Sequence, residues 1–277
     1  MKIFALMLVK DEIDVIDAVI DHARGWADRI VVLDTGSSDG TWERLQAMDD
    51  GQVVAWMQTS EPYHDSQRAD MMAHFRHEAG PGDWWCKLDA DEFFHDDPRA
   101  FLAGVPWPYH CVFKRSIDYV LTPEDAETLP FEQGFTAVRP RMHHVLPVCH
   151  TEFRFFRHRH TLRWARPAWA PNNKGPKYPH PIAVKHYQYR SPEQIQHRLD
   201  VRNAVRRDGA GELFKHVRQT HWREVLYDPQ DVVIDTDLAD FRELPLSSQR
   251  KHTPMRRVAK SLGQWLQLLA YRLGVLH

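Results

Sequence analysis

Apolar positions in the first third of the chain follow two alternating patterns. Ile3 to Val9 is an unbroken apolar run of strand length, and Ile13, Ile16, Ile20 and Ala23 then recur at helical spacing behind Asp11-Glu12. Ile30 to Leu33 repeats the strand signal and breaks at the turn formers Asp34-Thr35-Gly36-Ser37-Ser38-Asp39-Gly40-Thr41, ahead of a helical stretch from Trp42 to Met48. Val53 to Trp56 predicts a third strand, Ser66 to Glu78 a further helix, and Trp84 to Leu88 a fourth strand after Gly80-Pro81-Gly82-Asp83. Unbroken apolar runs are the mark of strands buried on both faces. Strand and helix in alternation predict an α/β fold, a Rossmann-like and mostly parallel sheet flanked by helices, which binds ligands beyond the carboxyl ends of its strands. Asp11-Glu12, Asp34 to Asp39 and Asp89 to Glu92 all fall at such ends.

The pattern is less regular from about residue 96 to 190. Tyr109 to Lys114 reads as a strand, Leu121 to Gly134 is mixed and acidic, and Arg154-Phe155-Phe156-Arg157 reads as a strand with two positive residues on one face. The Pro- and Trp-rich stretch from Trp164 to Pro176 has neither period and reads as a loop, with Trp164 and Trp169 expected to pin it to the core. From Ser191 the period turns helical, opening on the capping-box pattern Ser191-Pro192-Glu193-Gln194. This places a domain over 1–190 and a C-terminal helical extension over 191–277. A second helix is expected from Thr253-Pro254, with Met255, Val258, Leu262, Leu266, Leu269 and Leu273 on one side. Arg250, Lys251, Arg256, Arg257, Lys260 and Arg272 are cationic there, and no acidic residue follows Glu243. Such a tail suits an anionic membrane surface or a packed helix.

The chemistry concentrates in Leu88-Asp89-Ala90-Asp91-Glu92. Residues i and i+2 of a strand share a face, so Asp89 and Asp91 can converge on one ligand. A divalent cation on hard carboxylate oxygens, with positions left for phosphate, suits a nucleoside diphosphate. No P-loop and no dinucleotide-binding glycine fingerprint follows any strand, and a calcium loop with Gly40 at its sixth position would start on Thr35 and end on Gln46, without its terminal acids. The chain has 277 residues, is 43% apolar, carries a formal net charge of −2 and contains 18 histidines. That balance gives no electrostatic case for nucleic acid. Three cysteines without a Cys-x-x-Cys pair suggest neither disulfides nor structural zinc. With no signal-peptide pattern at Met1-Lys2 and no run of eighteen apolar residues, a cytoplasmic setting is expected, at the inner membrane face if the tail meets lipid.

Taken in order, Lys10-Asp11-Glu12, Asp34-Thr35-Gly36-Ser37-Ser38-Asp39-Gly40-Thr41, Gln67-Arg68-Ala69-Asp70 and Leu88-Asp89-Ala90-Asp91-Glu92 resemble the motifs of family 2 nucleotide-sugar-dependent glycosyltransferases with the GT-A fold. Lys185-His186-Tyr187-Gln188-Tyr189-Arg190-Ser191 resembles the family's downstream His-Tyr segment. The resemblance covers roughly residues 1 to 200. It implies transfer of a sugar from a nucleoside diphosphate sugar to a hydroxyl of a glycan or lipid-linked acceptor in polysaccharide or lipopolysaccharide assembly, with Mn2+ or Mg2+ as cofactor. It further implies Glu12, Asp34, Arg68 and Asp89 in the donor nucleotide pocket, and Asp91 and His186 on the metal. The family's usual His-Glu pair before that histidine is missing, since no Asp or Glu lies between Arg157 and His186. Glu152 is therefore the first candidate for the general base, followed by Asp118 and the Glu124-Asp125 pair. Loop tryptophans could stack on a sugar. A sugar nucleotidyltransferase and a catalytically inactive glycan-binding or scaffold subunit are the alternatives.

Overall fold

The structure, a computed structural model, describes residues 1–207 and 218–247 together with Leu266, Leu269 and Ala270. In chain order the regular elements are β1 (Ile3–Val9), α1 (Ile16–Arg24), β2 (Arg29–Asp34), α2 (Thr41–Ala47), β3 (Val53–Gln58), α3 (Gln67–Phe75), β4 (Trp84–Asp89), β5 (Glu92–Phe94), α4 (Pro98–Ala103), β6 (Cys111–Asp118), α5 (Pro123–Thr128), α6 (Phe135–Val138), β7 (His144–Val145), β8 (His150–Arg157), β9 (Ile182–His186), α7 (Pro192–Arg207) and β10 (Val233–Ile234). They fall into two compact units, one built chiefly from Met1–Ser116 with His150–Val184, the other from Ile117–Cys149 with Lys185–Pro245.

The first unit carries the expected α/β architecture. Its eight-stranded sheet has the order β3-β2-β1-β4-β8-β6-β9-β5. Pairing is parallel from β3 through β4 and antiparallel where β8 joins β4 and β6. β1 lies between two parallel neighbours and is buried over all seven residues, as its unbroken apolar run requires. Phe4, Leu6 and Leu8 pack with Val31 and Leu33 of β2, with Met71, Met72 and Phe75 of α3, and with Trp85, which stacks on Phe4 at 4.7 Å. Register matters most for the site. Val9 pairs with Asp34 and Leu8 with Asp89, so two aspartates end the strands on either side of β1.

Three sequence expectations are corrected here. Ile13 is 42% exposed and α1 starts only at Ile16, its buried stripe being Ile16, Val19, Ile20 and Ala23. The cause is the preceding turn: Asp11 sits at φ 52°, and the Ile13 amide is taken by the Asp39 carboxylate at 3.0 Å. The regular alternation expected over Arg154–Arg157 is broken by a bulge: pairing with β6 skips Arg154 opposite Val112 and Phe113, and Phe153 and Phe156, three apart, stack at 5.4 Å. Arg154 enters a buried ionic cluster, whereas Arg157 lies over the Trp84 ring at 4.6 Å. Finally, the strand expected over Tyr109–Lys114 begins at Cys111 and continues to Asp118.

In the second unit, Thr122 and Asp125 form a reciprocal cap on α5, and β7 pairs antiparallel with β10. Tyr119 stacks on Tyr187 at 4.4 Å and donates its hydroxyl to Asp235 at 2.7 Å. Helix α7 starts as its capping pattern predicts, with the Ser191 hydroxyl accepting from the Gln194 amide, and buries Ile195 and Leu199. The cationic helix expected from Thr253 onward lies almost wholly outside the described residues. Among the described residues no helix is long and apolar enough to cross a membrane.

Candidate functional site

The turn-forming octapeptide after β2 is a rigid cradle locked to the turn after β1. Asp34 Oδ1 accepts from the amides of Gly36 and Ser37, both at 2.8 Å, and from Gln58 Nε2. Gly36 takes φ 90°, and a Cβ there would lie 3.3 Å from the Thr59 carbonyl oxygen, so only glycine closes this turn without strain. The two turns then interlock: the Asp11 amide donates to Ser37, the Ser38 amide donates to Asp11, and the buried Glu12 donates its amide to Thr41 Oγ1. Asp34 itself is fully buried, and its Oδ2 has no hydrogen-bond partner among the described residues. A buried carboxylate oxygen left unbonded costs free energy unless a ligand satisfies it.

Across β1, four buried cations meet four carboxylates. Arg68 of α3, Lys87 of β4, Lys114 of β6 and Arg154 of β8 have side chains at most 3% exposed, whereas Asp65, Asp89 and Glu152 are 27, 29 and 36% exposed. Arg68 ties the strand ends together, donating from Nε to the Leu6 carbonyl at 3.0 Å and from Nη2 to the Leu88 carbonyl at 2.8 Å while pairing with Asp65 and Asp89. Arg154 pairs with Asp89 at 3.2 Å, with Glu92 at 2.8 Å and with Glu152 at 3.2 Å. The fully buried Glu92 also binds Lys114. Lys87 holds Asp65 at 2.9 Å and Glu152 at 3.3 Å. The cations and Glu92 form the floor, and Asp65, Asp89 and Glu152 the solvent side.

This arrangement decides what each carboxylate can do. Burial would raise the Asp89 pKa, but Arg68 and Arg154 outweigh it and hold the group well below the usual carboxylate range, with Asp91 close enough to oppose them in part. Both Asp89 oxygens are thus engaged by guanidinium groups. For Glu152, burial is again overcome, here by Arg154, Lys114 and Lys87, and its pKa falls to about 2. A carboxylate so acidic is ionised at neutral pH and accepts protons weakly. Arg68 and Arg154 would lose basicity through burial, yet their carboxylate partners raise both.

The remaining sequence candidates lie around these groups or in the second unit. Asp91 sits in the turn between β4 and β5 and is 4% exposed. Among the described residues no group of three or more His, Cys, Asp or Glu is placed to hold a metal. Mg2+ and Mn2+ in nucleotide enzymes take only one or two protein carboxylates and fill the shell with phosphate and water. In the second unit His186 Nδ1 lies 2.7 Å from the Asp118 carboxylate, so a neutral imidazole carries its proton on Nδ1 and donates it there. Asp118 is therefore engaged with that imidazole. Asp125 is engaged by the α5 cap and by His144 at 2.7 Å. Of the loop tryptophans, Trp164 is buried and pins its loop as expected, but Trp169 is 50% exposed. Its ring lies 5.6 Å from both Lys87 Nζ and Lys174 Nζ, beside the Glu152 pair.

Lys87, Lys114, Arg154 and Glu92 were not among the sequence candidates. Their signal was a charge within a strand pattern otherwise read as buried, as in Trp84-Trp85-Cys86-Lys87-Leu88. Charges are almost never fully buried unless paired, so each announces a partner.

No protein-family model matches the chain, and no curated protein matches it. Among solved structures, it is similar to a putative glucose-1-phosphate thymidylyltransferase from Bacillus anthracis, solved in complex with sucrose, at 13% identity and a TM-score of 0.31. The match covers 44% of this chain and 57% of that one, little more than half its length, and a likeness so slight carries no argument about function.

Proposed function

We propose that the chain is a glycosyltransferase that moves a sugar from a nucleoside diphosphate sugar to a hydroxyl acceptor in cell-surface glycan assembly. The observation that supports it most is the buried, unsatisfied Asp34 Oδ2 at the carboxyl end of β2, in a sheet whose register ends β4 on Asp89. Ligands of open α/β sheets bind at such ends. In this reading Asp34 accepts from a nucleobase N–H, while Glu12 and Arg68 keep the pocket in shape. Asp89, neutralised by two arginines, accepts from ribose hydroxyls. Asp91 would hold a divalent cation, whose charge would stabilise the leaving diphosphate. Glu152 faces the acceptor and orients its hydroxyl, a role suited to a carboxylate too acidic to be an efficient base. Trp169 offers the acceptor sugar an exposed stacking face.

Nucleotidyl transfer from a nucleoside triphosphate is the second reading. It calls for a basic side chain in the first-strand turn to meet the triphosphate, and Lys10 Nζ is already bonded to the carbonyls of Thr35 and Gly36 at 3.2 and 3.1 Å. Product analysis with manganese separates the readings. Nucleoside diphosphate released from a sugar nucleotide, faster with acceptor, supports glycosyl transfer. Pyrophosphate from a nucleoside triphosphate would replace it with nucleotidyl transfer, and tight binding without turnover would mark an inactive binding subunit. Asp91→Ala should abolish metal-dependent donor binding in calorimetry. Equal donor affinity in chelator and in manganese would remove the metal from the proposal. The cationic, acid-free tail is proposed to bring the enzyme to anionic lipid, so deletion of residues 250–277 should abolish co-sedimentation with anionic vesicles at low salt.

A further inference from the structure

At the other end of β4 the first unit holds a cavity of about 370 Å³ whose lining includes Trp107, His110, Arg157, His158, Arg159 and His160 and no acidic residue. Strand register locates it. Arg157 pairs with Trp84 at the start of β4, and Asp89 ends that strand five residues later, so the cavity is roughly 16 Å from the ionic cluster at about 3.3 Å per residue. It is a separate place with its own chemistry.

Two guanidinium groups set its charge. Arg157 donates from Nη2 to the Val105 carbonyl at 3.1 Å and lies over Trp84, and its Nε is buried with no hydrogen-bond partner among the described residues. Arg159 donates to the Asn173 carbonyl and is 8% exposed. Burial lowers the pKa of both. Even so lowered, arginine remains protonated at neutral pH. His110 is driven down to about 3, by burial first and then by the two arginines, so it is neutral. His158 is lowered by burial first and then by Arg76 and His160, against the nearby Asp83 carboxylate, and because its Nδ1 accepts from the Trp85 indole at 3.1 Å, the neutral ring carries its proton on Nε2. At the rim Trp107 is 56% exposed, with its ring edge-on to His110 at 6.3 Å. The result is a mostly apolar pocket with two guanidinium side chains, the His158 imidazole and an aromatic residue among its lining, in the size range of small-molecule sites, about 300–1,000 Å³.

We propose that this cavity is a second ligand site, for a phosphate monoester whose ring stacks on Trp107. A monoester carries about −1.5 to −2 charges near neutrality, which matches two arginines better than a single carboxylate would. Forked guanidinium donors suit its oxygens.

Calorimetry on the full chain with phenyl phosphate, inorganic phosphate and phenol tests this without a nucleotide that could enter the Asp34 pocket. Phenyl phosphate should bind one to one, inorganic phosphate several-fold more weakly, and phenol not at all. Trp107→Ala should reduce phenyl phosphate to the affinity of inorganic phosphate. Arg159→Gln should weaken both by about tenfold or more, on the scale of one charge-assisted contact. Asp34→Asn should change neither, which keeps this site distinct from the proposed donor pocket. Absence of one-to-one phenyl phosphate binding overturns the proposal, as does binding indifferent to Trp107→Ala and Arg159→Gln. If Arg159→Gln does not fold, the exposed Trp107 decides alone: loss of the phenyl preference supports the site, and its retention refutes it.

Discussion

Arg68 reaches from α3 to the Asp89 carboxylate and, in passing, satisfies the carbonyls of Leu6 in β1 and Leu88 in β4. One fully buried guanidinium thus fixes the spacing of the strands whose ends form the site. Removing it takes one donor from each of two strand carbonyls and one partner from both Asp65 and Asp89. Arg68→Ala should cost about 3–5 kcal/mol, the scale for breaking a buried ion pair. Arg68→Lys should cost less but still lose the forked contact. Urea denaturation of both variants measures this, and a loss below about 1 kcal/mol for Arg68→Ala would show that the pair contributes little.

Asp34→Asn separates the two oxygens of one carboxylate. Asparagine keeps an acceptor for the amides of Gly36 and Ser37 but replaces Oδ2 with a donor. The turn should survive with little change in melting temperature. Nucleotide affinity should fall by about tenfold or more, since a ligand N–H would face an N–H, and tenfold corresponds to about 1.4 kcal/mol. Calorimetry with a panel of nucleoside diphosphates gives the answer; unchanged affinity throughout would place the nucleobase elsewhere.

The strands and the position of the acidic turns were legible because buried parallel strands leave continuous apolar runs, and Ile3–Val9 and Ile30–Leu33 have no other reading at that length. Partnership was not. Nothing in Leu88-Asp89-Ala90-Asp91 says that Asp89 is claimed by Arg68, twenty-one residues earlier, and by Arg154, sixty-five later, because antiparallel addition of β8 is a long-range pairing without a local signature. Glu152 read as a free carboxylate for the same reason: its three cations come from β4, β6 and β8. The start of α1 was misplaced because Ile13 fits a helical period while its amide is bound by Asp39 in another turn.

Acid should unfold the protein along two limbs. Buried His110, lowered to about 3, binds fewer protons folded than unfolded, so its contribution is complete above the unfolded value of about 6.5 and is lost as pH falls from there toward 3. Glu152, lowered to about 2, contributes above its unfolded value of about 4.3 and loses that contribution as pH falls toward 2, with Asp89 shifted in the same direction. Melting temperature should therefore decline gently below about pH 6.5 and steeply below about pH 4.3. Glu152→Gln should lower the neutral plateau and flatten the steep limb, whereas His110→Asn should flatten only the gentle one. Thermal scans from pH 7 to pH 3 would show whether the limbs respond separately, and a Glu152→Gln profile parallel to wild type would contradict the ionic account.

Trp164 and Trp169 share a loop but face opposite demands, which makes them an internal control. Trp164 is buried in the core against Phe156, with ring centroids 5.5 Å apart, and donates its indole N–H to the Ala168 carbonyl at 2.8 Å. Trp164→Ala should cost about 3–5 kcal/mol of stability, as large-to-small core changes do. Trp169 is half exposed and packs edge-on to Phe153 at 6.2 Å while the Lys87 and Lys174 ammonium groups approach its ring. Its truncation should cost no more than about 1 kcal/mol of folding stability, the scale of exposed cation–π contacts. If Trp169 is the stacking face for an acceptor sugar, Trp169→Ala should raise the acceptor KM by about fivefold to tenfold, with the donor KM kept, because one aromatic contact contributes about 1 kcal/mol. Trp169→Phe should recover most of that loss. Steady-state kinetics with donor and acceptor varied in turn decide it: equal effects on both substrates, or none on either, would mean that the exposed indole serves the ionic cluster beneath it and not the acceptor.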